Sequence, residues 1–133
     1  MILNYKIGAS TSPITLEVQI GTTGVTFTSI FLKKKSDTKA KEIVSSNADS
    51  GNVNQITLGT GTELQEADIF IRIVQNFGHI ASDAERDAAI KTTVIDYKLT
   101  GGAVEATLKP TSDSIVVTPN KVIANYTSII KLS

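Results

Sequence analysis

The single histidine, His79, follows Gly78 and lies three residues before Ser82, where an imidazole held in a loop could serve as a general base or a metal ligand. A base of that kind needs a nucleophile and a group that orients it. The chain has no HExxH helix motif, no second histidine and no GxSxG elbow, and Gly8-Ala9-Ser10-Thr11-Ser12 departs from the elbow at its last position. His79 therefore reads as a structural or solvated residue. Ser36 and Lys39 have the SxxK spacing that sets a nucleophilic serine one helical turn from a lysine base. Ser128 and Lys131 share that spacing inside an expected strand, where side chains three apart point to opposite faces. No SDN or KTG companion accompanies either pair. The expectation is a protein that is not an enzyme and uses no cofactor.

Metal chemistry finds equally little. Asn47, Asp49, Gly51, Asn52 and Asn54 crowd oxygen donors into one loop, as a calcium site would, but the loop has one carboxylate and lacks the terminal bidentate glutamate. Asn, Asp, Ser and Gly are also what a turn uses. The chain has no cysteine, which excludes zinc fingers, iron–sulfur clusters, thiol nucleophiles and disulfides. No metal site is expected.

Charge is the stronger signal. Lys33, Lys34, Lys35, Lys39 and Lys41 gather five of the 13 basic residues into nine positions, opposed within them only by Asp37. Such a cluster can bind phosphate, a polyanion or an anionic membrane. It can equally be an edge strand kept from aggregating by its lysines. The formal net charge is zero, only two arginines are present, there is no tryptophan, and Phe31 is the one aromatic nearby. These features weigh against nucleic acid. The mirror feature is an acidic segment, Glu63, Glu66, Asp68, Asp83, Glu85 and Asp87, set against Arg72 and Arg86. Basic and acidic segments on one neutral chain can attract each other within the fold or dock neighbouring copies.

The elements that must position these residues are mostly strands. Ile, Val and Thr supply 17, 10 and 17 residues, a third of the 133, against eight Leu and one Met, and β-branched side chains favour strands. Ile14, Leu16, Val18 and Ile20 alternate with Thr15, Glu17 and Gln19, a half-buried strand. A turn at Thr22 and Thr23, flanked by Gly21 and Gly24, would fold it onto Val25 to Phe31, pairing Ile20 with Val25 and Val18 with Phe27 and leaving Thr26 and Thr28 outside. A second hairpin is expected at Gly101 and Gly102, with Leu99 facing Val104, Tyr97 facing Ala106, Ile95 facing Leu108 and Lys98 facing Glu105.

Further strands are expected over Ile2 to Ile7, Lys41 to Ser45, Gln55 to Leu58, Asp68 to Phe77, Ser114 to Thr118 and Lys121 to Lys131. Ile69, Ile71, Ile73 and Phe77 give the fourth of these one apolar face, and Phe70 and Val74 make the other apolar too, so it belongs in the middle of a sheet. One helix interrupts the pattern near residues 83–91. Ser82 and Glu85 form a capping box at its start, Lys91 suits its negative end, and Ala84, Ala88 and Ile90 are expected to dock on the sheets.

About nine short strands and one helix in a chain of this length specify a single all-β domain, an antiparallel β-sandwich or closed barrel. No apolar run reaches the roughly 18 residues of a membrane span, and the N-terminal stretch lacks a secretory signal pattern, which points to the cytoplasm. Sandwiches of this layout include C2-type lipid modules, Ig-like adhesion domains and subunits of phage tails, capsids and secretion apparatus, so architecture alone assigns no function. With no catalytic constellation, the expectation is a structural or interaction module that packs against copies of itself or the neighbours in an assembly. The alternative is a peripheral module that binds an anionic membrane or polyanion through segment 33–41.

Overall fold

The computed structural model describes residues 2–133 and is an open all-β sandwich of two packed sheets. The larger sheet comprises β1 (Ile2–Tyr5), β3 (Val25–Lys33), β4 (Lys41–Ser45), β6 (Asp68–Asn76), β9 (Ile115–Val117) and β10 (Ile123–Leu132), in the order β1-β10-β6-β3-β4 with β9 also paired to β10. The smaller comprises β2 (Pro13–Gly21), β5 (Val53–Thr60), β7 (Val94–Thr100) and β8 (Ala106–Leu108), in the order β5-β2-β7-β8. Pairing is antiparallel except between β1 and β10, which run parallel. The sheets do not close into a barrel.

The core lies between the two inner faces. Ile14, Leu16 and Val18 of β2 and Leu99 of β7 meet Ile69, Ile71 and Ile73 of β6 and Ile130 of β10, all buried. Because side chains alternate along a strand, these positions are inward at every second residue. β6 sits inside the larger sheet between β10 and β3, as its two apolar faces require.

The expected hairpin of β2 with β3 does not form. β2 pairs with β5 and β7, whereas β3 pairs with β4 and β6, so Gly21 to Gly24 carry the chain from one sheet to the other. Gly24 permits the crossing, because a side chain there would overlap the Phe77 ring. The face of β3 is also the reverse of the expected one. Thr26 and Thr28 are buried beside Ile30 and Leu32, while Val25 and Phe27 point outward and are half exposed. The inward hydroxyls are satisfied locally: Thr26 Oγ1 donates to the Gly24 carbonyl at 3.1 Å and Thr28 Oγ1 to that of Gly51 at 2.7 Å. A threonine that can bond the backbone is thus admitted to the core, and a hydrophobicity pattern misses it.

The second hairpin exists in a shifted register. Tyr97 faces Leu108 and Leu99 faces Ala106, so the connection runs over residues 101–105 and is longer than a tight two-residue turn. Lys98 faces Thr107 in β8 and Glu17 in β2, not Glu105, and Val104 is exposed. The N-terminal segment causes the shift. Tyr5 Oη donates to the Val104 carbonyl at 2.7 Å and accepts from Gly102 N at 3.0 Å, while Ala103 N donates to the Lys6 carbonyl. These long-range bonds hold the loop open.

The helix, α1 (Asp83–Lys91), forms where expected, with Ser82 Oγ accepting from Glu85 N at 3.2 Å. Its docking differs: Ala84 and Ala88 are exposed, and Ala89 and Ile90 pack on the core. Arg86 anchors the helix through carbonyls outside it, donating from Nη1 to Ile80 at 2.7 Å and from Nε to Asn120 at 2.9 Å.

Candidate interaction surfaces

The two outer faces of the sandwich differ in kind. On the smaller sheet, cross-strand register places Thr15 opposite Thr57 and Thr100, Glu17 opposite Lys98, and Gln19 opposite Asp96. That face is polar apart from Val94, which lies opposite Gly21 at its edge. On the larger sheet, β3 and β6 present Phe31 opposite Phe70, Ser29 opposite Arg72, Phe27 opposite Val74 and Val25 opposite Asn76. β10 adds Ile129 beside Phe70 and Ile123 beside Asn76, and Ile2 lies beside Ile129. Two largely apolar bands therefore cross this outer face, the second interrupted by Asn76 and Asn125, and a polar row of Thr127, Arg72 and Ser29 separates them. Phe27 is 50% exposed. Isolated exposed apolar side chains are ordinary, but a contiguous patch of them marks a contact surface.

Arg72 stands at the centre of this face, exposed and in no ion pair among the described residues. A shallow depression of about 300 Å³ is bounded by Phe27, Ser29, Arg72 and Val74. At one end of the same face, Lys33 and Asp68 are cross-strand neighbours. The sequence pattern identifies the two-faced strand β6 but not this surface, because a hairpin of β2 with β3 would turn the β3 phenylalanines inward.

The lysine segment is the connection from β3 to the edge strand β4. Lys34 and Asp37 close a turn, with Lys34 N donating to Asp37 Oδ2 at 3.0 Å and Asp37 N to the Lys34 carbonyl at 3.0 Å. Lys35 meets Glu66 at 2.5 Å, and this contact raises the Lys35 ammonium above its ordinary range, through the hydrogen bond first and the charge second. Lys39 and Lys41 are exposed and carry no ion pair among the described residues. A surface cleft bounded by Lys34, Lys35, Glu63 and Glu66 therefore has both signs of charge.

The acidic segment does not form one patch. Glu63 accepts from the Thr60 hydroxyl at 3.0 Å, Glu66 meets Lys35, and Asp68 meets Lys131 at 3.3 Å, all at the lysine end of the sandwich. Asp83, Glu85 and Asp87 lie on α1, beyond the other end of the nine-residue β6, roughly 27 Å along that strand. There Asp83 pairs with Arg86, and Asp87 with Lys91 at 2.8 Å. Lys91 lowers the Asp87 carboxyl below its ordinary value, chiefly by hydrogen bonding. Opposite charges are thus interleaved at each end, not split between two poles.

The remaining motif residues stay apart. His79 is exposed in the loop before α1, and Ser36 and Lys39 lie in the β3–β4 connection, not on a helix. Ser128 is buried in the core while Lys131 points outward, as strand alternation dictates. In the Asn47 to Asn54 loop, polar groups serve the backbone: Asn52 Oδ1 accepts from Ile20 N at 2.7 Å and the Asp49 carbonyl from Thr26 N at 2.8 Å. Among the described residues no helix is long and apolar enough to cross a membrane. Neither a protein-family model nor a curated protein matches this sequence.

Proposed function

We propose that the chain is a non-enzymatic structural module that associates with a second copy of itself through the outer face of its larger sheet. The observation that carries this reading is the contrast between the two outer faces, one polar but for Val94 at its edge and one crossed by apolar bands through Phe31 and Phe70 and through Phe27 and Val74. A second copy is the occupant that suits the register. A two-fold axis running between β3 and β6, parallel to the strands, exchanges each cross-strand pair with itself. Phe31 then stacks over Phe70, Phe27 over Val74, Arg72 over Ser29 and Lys33 over Asp68 of the other copy, and each contact occurs twice. Apolar bands meet apolar bands and opposite charges meet at the rim. The depression beside Arg72 leaves room for the two guanidinium groups and water. Sheets stacked face to face in this way lie about 10 Å apart.

The rim charges, Lys33 and Asp68, are only half-buried and contribute little, so the apolar bands supply the affinity. The absolute mass in solution, measured by light scattering during gel filtration at about 50 mM and about 500 mM salt, tests the reading. A dimer is expected in both conditions, and Phe27→Glu should reduce it to a monomer with an unchanged far-ultraviolet spectrum. A monomer at every loading would overturn self-association. A dimer lost in high salt would move the contact to the charged ends and overturn the assignment of this face.

The lysine segment supports a peripheral anion-binding role less well. Its Lys35 is engaged by Glu66, and Glu63 and Asp68 lie at the same end of the molecule, where their charge opposes a polyanion.

A further inference from the structure

The polar row between the two bands crosses four strands of the larger sheet, from Thr127 of β10 through Arg72 of β6 and Ser29 of β3 to Ser45 of β4. It holds one guanidinium and three hydroxyls, and no carboxylate. Arg72 and these three hydroxyls make no side-chain hydrogen bond or ion pair among the described residues. A guanidinium has five N–H donors and no acceptor, so Arg72 offers a planar fork with nothing in it. The depression of about 300 Å³ bounded by Phe27, Ser29, Arg72 and Val74 opens on this row. The carboxylates that border the face stand in other rows. Glu42 is opposite Phe31 on the edge strand, and Asp49 lies in the loop beside Phe27. Asp68 is held by Lys131 at 3.3 Å and is four residues from Arg72 along β6, about 13 Å at strand spacing.

In the two-fold pairing proposed above, the axis passes between Arg72 and Ser29, so the Arg72 residues of both copies meet around it. With strands about 4.8 Å apart and sheets about 10 Å apart, the two Arg72 Cα atoms are about 11 Å from each other, a gap that two arginine side chains span with one small ion between them. Phe31 and Phe70 of both copies close this space on one side along the strands, and Phe27 and Val74 of both copies close it on the other. Two like charges brought together there repel and lose solvent, and nothing in the row offsets either cost.

We propose that the dimer binds one divalent tetrahedral oxyanion, inorganic phosphate, on its two-fold axis, bridging the two Arg72 guanidinium groups with the Ser29 hydroxyls as further donors. The inference rests on the face-to-face pairing and names the ligand of that same site. Such an ion carries two charges to match the two guanidinium groups, and each planar fork can take two of its four oxygens. A pair of forks related by a two-fold axis grips two such pairs of oxygens equally. The space is enclosed by both copies, so it admits the free ion and not a phosphoryl group carried on a larger molecule.

Sedimentation of the full chain in chloride and in about 10 mM phosphate, at matched ionic strength, tests the proposal. Phosphate should lower the dimer dissociation constant about tenfold, and calorimetric titration should find one phosphate for every two chains. Arg72→Met, at an exposed position that spares the core, should dimerise more tightly than wild type in chloride, because two facing charges are gone, and should lose the response to phosphate. Arg72→Lys keeps the charge without the fork and should respond more weakly than wild type. A dimer with the same dissociation constant in both buffers would overturn the anion site and leave the pairing of the faces standing, as would one phosphate per chain retained by the monomeric Phe27→Glu variant. A monomer at every loading in both buffers would overturn the pairing, and the site with it.

Discussion

The Tyr97 phenol and the Ser128 hydroxyl meet at 2.9 Å in the buried interior, joining β7 of the smaller sheet to β10 of the larger. Each would be an orphaned polar group without the other, so the pair makes one relative placement of the two sheets more stable than its neighbours. The same burial raises the Tyr97 pKa, since ionisation would place a phenolate in the core; the Ser128 hydrogen bond opposes that rise only in part. In the unfolded chain the phenol ionises near its ordinary 10.0, whereas in the native state it holds its proton well beyond that. The native state thus binds more protons above pH 10, and its stability falls as pH rises from there toward the folded-state value. Tyr97→Phe should cost about 1 kcal/mol at neutral pH. It should also flatten the alkaline decline by up to about 1.4 kcal/mol per pH unit. Urea midpoints at neutral pH and between pH 9 and 11 read both, and parallel declines in the two proteins would refute the coupling.

Gln75 shows the opposite condition. It is fully buried on β6, its Nε2 donates to Thr26 Oγ1 at 3.3 Å, and its Oε1 has no partner among the described residues. Thr26 does not depend on that bond, because its own hydroxyl donates to the Gly24 carbonyl. Removing the amide therefore deletes an unsatisfied acceptor without creating another, and Gln75→Met, similar in length, should stabilise the fold by about 1 kcal/mol. A lower thermal midpoint in the variant would count against this account.

Strand positions were legible in the sequence to within a few residues because alternation is local: Ile69, Ile71 and Ile73 announce β6 wherever its neighbours lie. Pairing was not legible. Gly21-Thr22-Thr23-Gly24 has the composition of a tight turn, yet it crosses between sheets, and what decides between the two is packing of Gly24 on Phe77, more than fifty residues away. Likewise Gly101 and Gly102 do mark a loop, but its register depends on Tyr5 and Lys6 at the other end of the chain. The apolar outer face was hidden for the same reason, since a β2–β3 hairpin puts Thr26 outward and Phe27 inward, the reverse of what β3 adopts. The charged clusters were legible as composition, while their local neutralisation by Lys35 with Glu66 and Asp87 with Lys91 is a property of three dimensions or of helical spacing.

Gly101 carries two requirements at once. Its φ of +92° lies where side chains are strained, and a methyl there would overlap the Pro13 carbonyl at the start of β2. Strain and overlap act together, so Gly101→Ala should cost about 3 kcal/mol. The neighbouring Gly102 packs against Tyr5 and the Lys6 carbonyl, so the damage should spread to the N-terminal strand β1. Amide exchange should quicken at Ile7 and Gly8, which bond the Ser133 carbonyl, as well as in β7. Loss of stability confined to the loop, with unchanged exchange at Ile7 and Gly8, would contradict the tie between these segments.

Lys121 invites the reverse change. It closes the β9–β10 connection, its N donating to the Thr118 carbonyl at 2.9 Å, and it does so at φ +62°, a left-handed position that glycine usually fills in such hairpins. A lysine there loses about 1–2 kcal/mol to the clash of its Cβ with the backbone, against about 0.5–1 kcal/mol that glycine loses in chain entropy. The side chain offers little in compensation, because its nearest carboxylate, Asp87, is 3.9 Å away and already held by Lys91 at 2.8 Å. Lys121→Gly should therefore raise stability by about 0.5–1 kcal/mol. Chemical denaturation at low and high salt separates backbone from charge: a gain independent of salt supports relief of strain. A loss that disappears in high salt would mean that the Lys121–Asp87 attraction outweighs it.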